Sequence, residues 1–104
     1  MEKRKIYISG PMRGIEQHNR PAFTAAREML DALGFEPIDP RLFSITSSVI
    51  YLNDEDWLQI NRLILRHCDA IFMLPGWQDS EEAQREWNAA REEKLQVYGF
   101  DLEA

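Results

Sequence analysis

The apolar positions of this chain fall into short runs, each ended by a glycine, a proline or a cluster of polar residues. Lys5–Ser9 (KIYIS) is β-branched and aromatic, stops at Gly10-Pro11, and predicts a strand. A helix comes next. Asn19 can cap it, Pro21 is tolerated in its first turn, and Gly34 suits the left-handed position past its end. Ala22, Ala26, Met29, Leu30 and Leu33 share one face of that helix, with Arg27, Glu28 and Asp31 turned away. Phe35–Ile38 reads as a short second strand closed by Asp39-Pro40. Residues 41–52 show no clean period and read as a long loop with room for a helical turn.

Asn53–Asp56 supplies a cap and acidic residues to a second helix, whose apolar face is Trp57, Ile60, Leu63, Ile64 and His67. Asp69–Leu74 is almost continuously apolar and closes at Pro75-Gly76, the pattern of a parallel strand covered on both faces. A third helix is expected over Ser80–Lys94, with Ala83, Trp87, Ala90 and Leu95 inward. Val97–Phe100 then forms a last strand before an acidic tail.

Alternation of four strands with three helices predicts right-handed crossovers and a small parallel sheet between helical layers, in one α/β domain over residues 1–104. Ligands of such sheets bind beyond the carboxyl ends of the strands, where strand order reverses. With the first and third strands adjacent, as in a flavodoxin-like order, the turns Ser9–Gly14 and Leu74–Ser80 converge on one crevice. A net charge of −6 disfavours nucleic acid or an anionic membrane as the main partner. The single cysteine, Cys68, excludes an internal disulfide and a cysteine zinc site, and reads as a small buried apolar residue. No apolar run is long enough to span a bilayer, and the N-terminus lacks a signal-peptide core, so a cytoplasmic location is expected. No metal or organic cofactor is expected.

Candidate chemistry gathers at the two turns. Gly10, Pro11, Met12, Arg13 and Gly14 let backbone N–H groups approach a ligand, and Arg13 adds a fork of donors. The turn has neither G-x-G-x-x-G spacing nor a Walker A lysine. Asp79 or Ser80 can cap the third helix, and Asp79 with Glu82 fits a capping box. Glu86 borders the apolar stripe of that helix, where a carboxylate is costly to desolvate unless it is paired or used. A surface glutamate is the plainer reading of its position. Tyr7 reads as a core residue with its hydroxyl satisfied at an edge, Asp69 as a turn acceptor, and His67 as a hydrogen-bonded core residue. His18 lies within reach of a ligand, but no Ser-His-Asp triad has support.

Lys5–Gly14, Cys68–Trp77, and Ser80 six positions before Glu86 together resemble the nucleoside 2-deoxyribosyltransferase-like superfamily, and within it the small bacterial and phage-associated DUF4406 proteins. The resemblance runs over nearly the whole chain. It implies a flavodoxin-like three-layer sandwich and chemistry at an N-glycosidic bond, either hydrolysis or transfer. It further implies Glu86 as the nucleophile on the anomeric carbon, Tyr7 as its orienting partner, and Asp69 as a contact to the sugar or the leaving base. Gly10, Pro11, Met12, Arg13, Gly14, Asp79 and Ser80 would then hold the sugar end or a 5′-phosphate of a small nucleoside or nucleotide. Glu81-Glu82-Ala83 departs from the glycines common in relatives, which weakens the case for a phosphate. A homodimer or higher homo-oligomer is also implied. Two other readings stay open: a non-catalytic nucleotide-binding module, and an interaction protein acting through an exposed Trp77 and the long loop.

Overall fold

A computed structural model describes residues 3–40 and 53–99. The elements are β1 (Lys5–Ser9), α1 (Arg20–Ala32), β2 (Glu36–Ile38), α2 (Asp54–Arg66), β3 (Ala70–Met73), α3 (Glu81–Glu92) and β4 (Gln96–Gly99). All neighbouring strands pair in parallel, in the order β2-β1-β3-β4. This is the flavodoxin-like order, and it makes β1 and β3 the central pair, with Tyr7 opposite Ile71 and Ser9 opposite Met73. The expected loop over 41–52, together with Phe100 and the acidic tail, lies outside the described residues.

Pleating divides the core into two layers. Ile6 and Ile8 join Phe23, Ala26 and Leu30 of α1, with Ala70, Phe72 and Leu74. Tyr7 turns the other way and packs with Ile71, Met73, Leu65 of α2, and Ala83, Ala89 and Ala90 of α3. Successive strand residues point to opposite faces, so one strand feeds both layers. Gly10 is buried at the crest of β1, where an added Cβ would lie 2.7 Å from Cβ of Leu74.

Two helix faces differ from the periodicity. In α1 Phe23 is buried along with Ala26 and Leu30, while Leu33 falls past the last helical turn as C-cap and is 66% exposed. In α2 Leu65 is fully buried, Leu63 is 55% exposed, and His67 is an exposed C-cap rather than a core residue. Leu63 and Leu65 stand about 200° apart around a helix and cannot share a face. The choice is made by burial against α3, where Leu65 joins Ala83, Ala89 and Ala90 in one core cluster, and Arg62 and Arg66 pair with Glu92 and Glu93 at the exposed rim. Trp77 is buried against Trp87, whose ring also lies under the Arg91 guanidinium. An exposed Trp77 as an interaction surface is therefore ruled out.

The caps also resolve. Asn53 and Asp56 form a reciprocal capping box on α2. Asn19 precedes α1 in a left-handed conformation and makes no cap bond; its amide donates to the Pro11 carbonyl at 2.9 Å instead. Ser80, and not Asp79, caps α3, its Oγ accepting from the Ala83 N–H at 3.2 Å. Cys68 is buried with its thiol pushed up to about 11 by burial, as its core reading requires.

Candidate active site

Tyr7 and Ser9 are two residues apart on β1, so both aim into the α2–α3 layer. There they meet one carboxyl group from the second turn of α3. Tyr7 Oη donates to Oε2 of Glu86, and Ser9 Oγ donates to Oε1 at 2.7 Å. Glu86 is 5% exposed and Tyr7 and Ser9 are fully buried. The Ser80 cap sets the start of α3 and hence the height at which Glu86 reaches β1.

Burial dominates the electrostatics of this trio. It drives the Glu86 carboxyl up to about 7, with the hydroxyls of Tyr7 and Ser9 pulling it down and the nearby Glu82 charge adding to the rise. Burial, and then Glu86 itself, hold the Tyr7 phenol well above its usual range, so it remains a donor. The arrangement is a carboxyl poised near neutrality, with both oxygens oriented by hydroxyl groups.

Glu86 opens into a cleft of about 1200 Å³ at the carboxyl ends of β1 and β3. Pro11, Met12 and Arg13 form one wall and Pro75, Gly76, Asp79 and Ser80 another, so the two turns do converge. Gly76 takes a positive φ of 87° and approaches Pro11 to 3.5 Å from where a Cβ would stand. Trp57, Leu58 and Asn61 of α2 add a partly apolar wall. His18 also lines the cleft, held in a left-handed run with Gln17 and Asn19. At the mouth, Arg13 Nε pairs with Glu82 Oε1 at 2.9 Å, and Arg85 pairs with Glu81 at 2.8 Å.

Of the residues singled out in the sequence, Glu86, Tyr7, Pro11, Met12, Arg13, Asp79 and Ser80 gather at this cleft. Gly10 sits beneath it against Leu74, and Gly14 is exposed beyond it at φ 76°. Asp69 does not belong to the group. It precedes β3, so in a parallel sheet it lies at the edge opposite the Pro75–Ser80 turn. Its carboxylate instead accepts from the Lys5 N–H at 2.9 Å, tying the amino ends of β1 and β3 together. Ser9 is the partner that sequence reasoning missed, although its two-residue spacing from Tyr7 was a usable signal. Asp39, also unforeseen, is buried beside Arg27 of α1 at 3.9 Å and is absent from the cleft lining. Among the described residues, no three His, Cys, Asp or Glu side chains cluster to hold a metal ion. Among them, too, no helix is long and apolar enough to cross a membrane.

Fold and site together define a flavodoxin-like α/β domain with a buried carboxyl facing the cleft where strand order reverses. The chain belongs to the family described as Domain of unknown function (DUF4406), whose profile matches residues 4–99. No curated protein matches it in sequence. Among solved structures it is similar to the 2-desoxiribosyltransferase from Leishmania mexicana, with a TM-score of 0.69 and 18% identity over 93% of this chain and 63% of that one. The likeness establishes a nucleoside 2-deoxyribosyltransferase-like fold, and this chain spans less than two thirds of that protein's length.

Proposed function

We propose that this chain cleaves an N-glycosidic bond of a small nucleoside or nucleotide, with Glu86 as the nucleophile. The observation that carries this reading is the carboxyl of Glu86, buried yet facing the cleft, with a hydroxyl donor on each oxygen. The ionised carboxylate attacks the anomeric carbon, and the bond to the base breaks. The base leaves with the bonding electron pair and is protonated from water, while the sugar is held as an ester of Glu86. Water, or a second base in a transfer, then attacks the same carbon and returns the carboxylate. Tyr7 and Ser9 orient the two oxygens, and Arg13, Asp79 and Ser80 line the wall that would meet the sugar. Asp69, at the far edge of the sheet, has no part in this scheme.

The fold shared with a 2-desoxiribosyltransferase is consistent with such a substrate. Incubation with the common 2′-deoxynucleosides and their 5′-monophosphates should release free base, and Glu86→Gln should abolish the release. Release undiminished in that variant, or none from any compound, would overturn the reading. The displacement of Asp69 from the cleft favours a second reading, a module that binds nucleotides without turnover. Calorimetric binding without base release over a long incubation would select it. Self-association, which a sheet this small favours, belongs to the first reading and is read by sedimentation velocity.

A further inference from the structure

Charge at the mouth of the cleft is concentrated and already matched. Arg13 is held by Glu82 at 2.9 Å and Arg85 by Glu81 at 2.8 Å. Both carboxylates stand in the first turn of α3, where the helix dipole and unbonded N–H groups would otherwise draw an anion. The Ala83 N–H is already taken by Ser80 Oγ. Glu82 lies one turn before Glu86, about 6 Å along the axis, and both line the cleft. On the glycosidic reading, a sugar whose anomeric carbon met Glu86, with its base toward the apolar Trp57–Leu58 wall of α2, would present its other end to the Arg13–Glu82 pair. A carboxylate clamped there accepts a hydrogen bond from a hydroxyl and repels a phosphate.

We infer that Glu82 is a specificity-determining residue, selecting a nucleoside with a free 5′-hydroxyl over the corresponding 5′-monophosphate. This rests on the glycosidic reading of the same cleft. Arg20 also lines the cleft and has no ion pair among the described residues, so it offsets part of that repulsion.

Binding can be read apart from turnover in a Glu86→Gln background. Titration calorimetry is run with each of the four common 2′-deoxynucleosides and its 5′-monophosphate, with and without Glu82→Gln. Glu82 is partly exposed in a surface pair, so its replacement leaves the fold intact, as circular dichroism would verify. The nucleoside should bind at least about tenfold more tightly than its monophosphate, and Glu82→Gln should narrow that gap by about tenfold, through tighter monophosphate binding. Equal or tighter monophosphate binding with Glu82 in place overturns the inference, as does a variant that shifts both ligands alike. Failure of both ligands to bind overturns this inference and the glycosidic reading together. Selective nucleoside binding by a wild-type protein that releases no base removes the glycosidic reading alone.

Discussion

A carboxyl that titrates near neutrality inside a protein is both a chemical opportunity and a cost. Folding raises Glu86 from its ordinary 4.5 to about 7, chiefly by burial. Between those values the folded chain keeps a proton that the unfolded chain has lost, so stability falls as pH rises through that window and stays reduced above it. The cost accumulates to about 3 kcal/mol. Urea unfolding should therefore show Glu86→Gln gaining on the wild type by roughly that amount between about pH 5 and about pH 8, with no further gain above. A constant difference across that range would contradict a raised Glu86. The proposed catalysis would depend on the same titration, since only an ionised carboxylate attacks. The ratio kcat/KM should fall on the acid side with an apparent pKa near 7. Tyr7→Phe removes a bond that lowers this value, so the acid limb should move up by about one pH unit and activity at about pH 7 should drop about fivefold. An unmoved limb would deny Tyr7 its positioning role. At this scale the sequence was legible wherever spacing alone decides direction: Tyr7 and Ser9 share a strand face, and Glu86 comes three positions after the inward Ala83. Asp69 was misplaced by resemblance, although the direction of a parallel strand already puts the residue before β3 and the turn after it at opposite edges of the sheet.

Elements carry these residues to one another. Ser80 starts α3 at the height that brings Glu86 under β1, and α2 closes the same layer through Leu65. Leu65→Ala should cost about 2–5 kcal/mol in denaturant unfolding, against under about 0.5 for Leu63→Ala. Equal costs would mean that α2 is rotated from the orientation described. Element order and type were readable from period and punctuation, because Gly10-Pro11, Gly34 and Pro75-Gly76 break the chain between them. The rotation of α2 was not readable. Its apolar residues spread over more than half the circumference, and the alanines that cover Leu65 lie on a helix that comes later in the chain. Trp77 escaped for a related reason, since its cover, Trp87, is supplied by α3.

The topology of the whole molecule places the Glu86 carboxyl at the cleft. The order β2-β1-β3-β4 sets the turns after β1 and β3 side by side, and the cleft between them receives the one buried carboxyl of α3. That convergence could be anticipated from alternating strands and helices, whereas the mutual neutralisation of Arg13 and Glu82 needed both turns in three dimensions. The proposed chemistry stands on a covalent bond between Glu86 and a sugar. The direct measurement is to quench the wild-type protein during turnover of a 2′-deoxynucleoside, digest it, and weigh the peptides by mass spectrometry. One deoxyribosyl group is expected on the peptide containing Glu86, and none in Glu86→Gln. Base release with no adduct at Glu86, continuing in the Gln variant, would contradict it.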